Sequence, residues 1–236
     1  MQHTYSLARP HNNDDEDDDM PKLPTLFGIK KKPYQQYEQS FTATQVHFYL
    51  SEDIGESAEY TDMIHRIAYA GPGDVIYIHL NTHGGNLETG VQMINAMQNS
   101  QAQIVTVLES VAYSLGTLIF LAGDQMVVND NCVMMFHNFR GGVIGKGNEL
   151  TSQLEATVKW FSTLARKIYV PFLTPDEFDR LLRGEDFWMQ SQDIRKRLDK
   201  MVKNLQTEAE KKPKAKTKPK KTDETVVEES ATPDKL

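Results

Sequence analysis

An α/β fold with a largely parallel sheet is predicted by three observations. Between about Phe41 and Leu205, short extended runs take turns with segments of helical spacing. Glycine-rich punctuation, Gly71-Pro72-Gly73 and Gly84-Gly85, falls between those segments. No stretch repeats another. Alternation of this kind over one sizeable domain is what βαβ units produce.

In chain order, "QVHFYL" alternates polar and apolar residues and reads as a strand. "ESAEYTDMIHRIAYAGPGD" carries Met63, Ile64, Ile67 and Ala68 at helical spacing and stops at Gly-Pro-Gly. "VIYIHLN" is a second strand and "NLETGVQMINAMQN" an amphipathic helix. "QIVTVLE" is a third strand, followed by a short buried helix, "SLGTLIFLAG". "QMVVND" and "CVMMFHN" read as further short strands. "NELTSQLEATVKWFSTLARKIYVPFL" reads as a long helix ending near Pro171.

The ends differ from the middle. Residues 1–40 include the acidic block Asp14 to Asp19, and like charges in a block repel and stay solvated. Residues 206–236 are rich in Lys and Pro, then acidic, with little to bury. Both ends are expected to be disordered, around a folded domain at 41–205. They serve as solubilising or linker segments, or the basic stretch Lys211 to Lys221 docks on an acidic surface or nucleic acid. A net charge of -7 argues against nucleic acid as the partner of the whole protein. A single cysteine, Cys132, allows no intramolecular disulfide and points to a reducing, cytoplasmic compartment. No run of about 18 apolar residues suggests a membrane span, and the N-terminus lacks the apolar region of a secretory signal.

Two turns carry candidate chemistry. "LNTHGG", Leu80 to Gly85, lies between a strand and a helix, and paired glycines there can form an anion-binding nest, or simply a tight turn. It is no Walker A loop, because Gly-Lys-Ser/Thr is missing. In "AYSLG", Ser114 stands where an extended run becomes helical. It is either a helix N-cap or a nucleophile with the next backbone N–H, that of Leu115, aimed at a developing oxyanion. Ala112 breaks the Gly-x-Ser-x-Gly elbow, so that motif is matched only in part.

A hydroxyl needs a base. Of seven histidines, His137 ends a strand and precedes a loop, where α/β folds place their chemistry. His83, in the glycine turn, is a weaker alternative. Asp186, directly before Phe187, Trp188 and Met189, is expected to be a buried carboxylate able to orient the imidazole, or else a local N-cap. Glu185 and Asp193 are expected to be more exposed. No metal-ligand motif is present, and Cys132 reads as a small core residue.

The order "LNTHGG", "AYSLG", "MMFHNFRGG", "DFWMQ" resembles the ClpP family of serine peptidases, across about Gln45 to Val202. There the corresponding motifs are Asn-Ser-Pro-Gly-Gly, Ala-Ser-Met-Gly, Met-Ile-His-Gln-Pro and Arg-Asp-x-Phe. The resemblance implies a crotonase-like fold of repeated ββα and βαβ units with a protruding handle helix, Glu149 to Val170. It makes Ser114 the nucleophile, His137 the base, Asp186 the orienting acid, and the N–H groups of Gly85 and Leu115 the oxyanion hole. It implies no cofactor, a homo-oligomer of stacked rings, unfolded polypeptide as substrate and an AAA+ ATPase as partner. The order Ser, His, Asp separates it from α/β-hydrolases.

The departures are Thr82-His83 before Gly-Gly, Tyr113 before the serine, where it is expected to narrow the cleft, and Asn138-Phe139-Arg140 after the histidine. They fit a divergent, phage-encoded member. A prohead maturation protease, a non-catalytic ring subunit and an acyl-CoA binder using the Gly85 nest are the rival readings.

Overall fold

The computed structural model describes residues 3–6, 43–142 and 144–211. The acidic block and the basic tail beyond Lys211 lie outside them. Chain order is β1 (His3–Ser6), β2 (Gln45–Leu50), α1 (Thr61–Ala68), β3 (Val75–Thr82), α2 (Leu87–Asn99), β4 (Gln103–Tyr113) and α3 (Leu115–Leu121). Then follow β5 (Gln125–Val128), β6 (Val133–Phe136), α4 (Gly147–Tyr169), α5 (Pro175–Leu182), β7 (Phe187–Gln190) and α6 (Ser191–Lys211).

The fold is mixed α/β around one sheet, ordered β1-β5-β4-β3-β2, with β6 beside β4 and β7 beside β6. The pairs among β2, β3, β4 and β5 are parallel, as is β4 with β6, while β1–β5 and β6–β7 are antiparallel. The period of two explains the core. Ile76, Ile78 and Leu80 of β3 point to one face and are fully buried, beneath Met93, Ile94 and Met97 of α2. The opposite face carries a smaller cluster of Val105, Val107 and Val127, flanked by Tyr77. There His47 bonds His79 at 2.9 Å, and His79 reaches Glu109 at 2.6 Å.

β4 controls the site. It runs to Tyr113, well past the expected "QIVTVLE". Its Val105–Leu108 segment pairs with β5, and its Val111–Tyr113 segment with β6 on the same edge. The register shifts between Leu80 and Thr82, so Thr82 lies opposite Ala112. The last residues of β3, β4 and β6 therefore finish side by side.

Several elements differ from expectation, and β7 and α6 were not anticipated as a strand and a helix. Residues 3–6, expected to be disordered, form β1 against β5. α5 was not anticipated, although Thr174 and Glu177 form a reciprocal capping box with Pro175 at the first helical position. α6 runs six residues beyond the expected domain end at 205. Arg197 of α6 grips Glu177 through two bonds and holds its carboxyl down at about 2. That half-buried pair pins α5 to α6. The first three turns of α4 leave the core entirely: its buried side chains begin at Phe161.

Candidate active site

Ser114 connects β4 to α3 with φ 53° and ψ -120°, a backbone region that side-chain-bearing residues avoid at a cost of about 1–3 kcal/mol. Its N–H donates to the carbonyl of Met135 in β6 at 2.8 Å. Its carbonyl accepts from Thr117 N–H at 3.0 Å and Thr117 Oγ1 at 2.6 Å. Thr117 Oγ1 also bonds the buried hydroxyl of Tyr169 at 2.6 Å, so the end of α4 braces the turn. Ser114 occupies the N-cap position of α3, yet its hydroxyl caps nothing. The simple N-cap reading therefore fails, and the hydroxyl is left for other chemistry.

The glycine turn presses against it. Thr82 Oγ1 donates to Glu52 O at 2.7 Å and accepts from Gly84 N–H at 3.1 Å. Ile54 N–H donates to Gly84 O, and Asn86 N–H to Ile54 O, both at 2.7 Å. With positions 84 and 86 both turned toward Ile54, the N–H of Gly85 faces the opposite way. Gly84 and Gly85 have φ of +101° and +140°. A Cβ on Gly84 would stand 2.8 Å from Tyr113 O and 3.0 Å from Leu115 N; one on Gly85 would stand 2.6 Å from Ile54 N. Only glycine permits this approach. The Gly85 and Leu115 N–H groups make no hydrogen bond with the described residues.

His137 follows β6 by one residue and is half-buried. Gly85, Ser114, Leu115 and His137 share one cavity of about 110 Å³, with Leu87, Leu118, Phe139, Arg140, Phe161 and Tyr169 as its other walls. Burial pushes the His137 imidazole below its usual range, the charge of Asp186 opposes that, and the charge of Arg140 adds to it. The side chain of Asn138 donates to Leu182 O at 3.0 Å and ties this loop to α5.

Asp186 is exposed, which corrects the expectation of a buried carboxylate, and it caps no helix. The loop before β7 is exposed from Arg183 to Asp186. The neighbouring Glu185 is clamped by Arg180, with Nε at 2.7 Å and a second, shorter bond from the same guanidinium. Asp186 is the carboxylate whose charge reaches His137. No hydrogen bond joins Ser114 to His137, or His137 to Asp186.

Elsewhere, the His83 ring stacks on Tyr113 at 5.2 Å and lies 3.8 Å from Asp53, away from the cavity. Tyr113 sits between His83 and Trp188 and does not line the cavity shared by Ser114 and His137. Cys132 is buried, as expected, and burial raises its thiol above the usual range. A wider groove of about 670 Å³ between α6 and the turn at Val170–Pro175 holds none of the candidate residues. Among the described residues, no group of three His, Cys, Asp or Glu side chains is placed to hold a metal. No described helix is long and apolar enough to cross a membrane. Sequence reasoning missed Thr117, Tyr169 and Arg140. Tyr169 gave no signal, and Arg140 appeared only as a departure from the family pattern.

These features define a class: a mixed α/β protein presenting a strained serine beside a glycine nest and a histidine. The chain belongs to the Clp protease family, whose profile matches residues 30–196. It is 24% identical over 161 residues to the ATP-dependent Clp protease proteolytic subunit of Bacteroides thetaiotaomicron, covering 66% of this chain and 69% of that protein. The ATP-dependent Clp protease proteolytic subunit 1 of Salinibacter ruber is 26% identical over 129 residues, 52% of this chain and 54% of the relative. That of Leifsonia xyli is 28% identical over 92 residues, 38% and 47% of the two chains.

Proposed function

We propose that the protein is a serine endopeptidase, the proteolytic subunit of a ClpP-type ATP-dependent protease with a crotonase-like fold. Ser114 Oγ attacks the scissile carbonyl while His137 takes its proton. Asp186 orients the imidazole and stabilises its charged form. The tetrahedral oxyanion rests on the Gly85 and Leu115 N–H groups, worth about 3 kcal/mol each when well aimed. An acyl-enzyme forms, the amine leaves with the proton from His137, and water releases the acid. No cofactor takes part. The observation that carries this reading is the non-capping Ser114 hydroxyl, held at φ 53° in one cavity with Gly85, Leu115 and His137.

Homo-oligomeric rings suit the outer part of α4, which exposes Leu154, Val158 and Trp160. An AAA+ ATPase feeding unfolded polypeptide follows from the family, as does a cytoplasmic setting. The open triad favours a second reading: a ring subunit that is inert until a paralogous or ATPase partner closes the site.

Fluorophosphonate labelling of folded, sized protein tests the proposal. Labelling lost in Ser114→Ala and weakened in His137→Ala supports the peptidase. A silent wild type supports the second reading, and labelling unchanged in Ser114→Ala refutes the choice of serine.

A further inference from the structure

The cavity beside Ser114 has mixed walls, with Ser114, His137 and Tyr169 among the polar ones. Leu87, Leu118, Phe139 and Phe161 line it, and Arg140 is its one permanently charged wall. No described carboxylate forms an ion pair with Arg140. Asp186, whose charge reaches His137, does not pair with it either. An exposed guanidinium with no ion pair among the described residues, on the wall of the cavity that holds Ser114, is free to meet an anionic group of a substrate.

We infer that Arg140 selects substrates with an acidic side chain on the residue whose carbonyl Ser114 attacks. The inference rests on the peptidase reading above. Gly85, Ser114 and Leu115 line the same cavity as Arg140, so the side chain beside the attacked carbonyl is the one near enough to enter. Size alone does not choose the residue. Charge chooses. The aliphatic stem of Glu lies along Leu87 and Leu118 while its carboxylate meets the guanidinium. Arg140 is exposed, so the preference is modest and screened by salt.

The test compares two fluorogenic peptides that differ only in Glu or Leu before the scissile bond. They are assayed on wild type, Arg140→Ala, Arg140→Lys and Arg140→Glu, with fluorophosphonate labelling of each. The ratio of kcat/KM for Glu over Leu falls about tenfold in Arg140→Ala, survives in Arg140→Lys and inverts in Arg140→Glu. In wild type it shrinks as salt rises. An influence of Arg140 on His137 alone changes both substrates equally and cancels in the ratio. A ratio unchanged across variants that still label overturns the Arg140 assignment and leaves the peptidase standing. No labelling of folded, assembled wild type overturns the peptidase reading and this inference with it.

Discussion

The two halves of the site are built differently. Around Ser114 every contact is tight: the glycine turn admits no Cβ, Ile54 fixes its backbone, and Thr117 and Tyr169 hold the serine carbonyl. Around His137 the contacts are loose: a half-buried imidazole, an exposed Asp186, and no hydrogen bond between them. Ser114, Gly85 and Leu115 follow strand ends held in register by the sheet. His137 and Asp186 lie on loops beside it. The first half is therefore pre-organised, whereas the second is left open.

Breaking the tight half has the largest effect. Gly85→Ala drives a methyl group into the Ile54 backbone at a φ that alanine rarely adopts. We expect fluorophosphonate labelling to slow by 10²-fold or more, as when an oxyanion donor is lost, with a fall of about 1–3 kcal/mol in denaturant stability. Rates and melts close to wild type would mean that the turn is not tight in solution.

The loose half responds less. Asp186→Asn removes the charge that opposes burial at His137, so the imidazole titrates still lower. The acid limb of the labelling-rate profile should move to lower pH, with the plateau reduced about tenfold. Glu185→Gln should leave both unchanged. The opposite outcome in this pair would transfer the acid role to Glu185. The depressed His137 also sets a sign for stability. Between its folded value and the usual 6.5 the unfolded chain binds more protons, so stability rises with pH through that window and is unaffected by this group on either side of it.

Tyr169→Phe gives the smallest change and the sharpest comparison. It removes one hydroxyl from the brace behind Ser114 and leaves Thr117 Oγ1 bonded to the Ser114 carbonyl. A loss of about 1 kcal/mol in stability and a few-fold slower labelling are expected. Full labelling at lowered stability would confine Tyr169 to packing.

Much of this was legible in the chain. The strands β2 to β6 and the helices α1 to α4 announced themselves because their apolar periods are regular and their ends carry turn residues. α5 was legible too: Thr174-Pro175-Asp176-Glu177 is a helix start, with a capping residue, a proline at the first helical position and a glutamate three residues on. β1 was not, since a four-residue edge strand is specified by its partner β5 across more than a hundred residues. The brace from Tyr169 and the exposure of Asp186 were illegible for a like reason. Both depend on which distant surface arrives beside the residue, and a single sequence records no such pairing. Ser114 and Gly85 could be picked out because close backbone approach demands particular residue types locally.

The φ of Ser114 has one more consequence. A left-handed turn between a strand and a helix is a place where chain stability alone would select glycine. Glycine there would relax the backbone without the loss of a capping hydrogen bond, because the Ser114 hydroxyl makes none. The chain thus keeps a residue that works against its own folding at that point. Stability and chemistry compete for this one position, and the serine marks which of them prevailed.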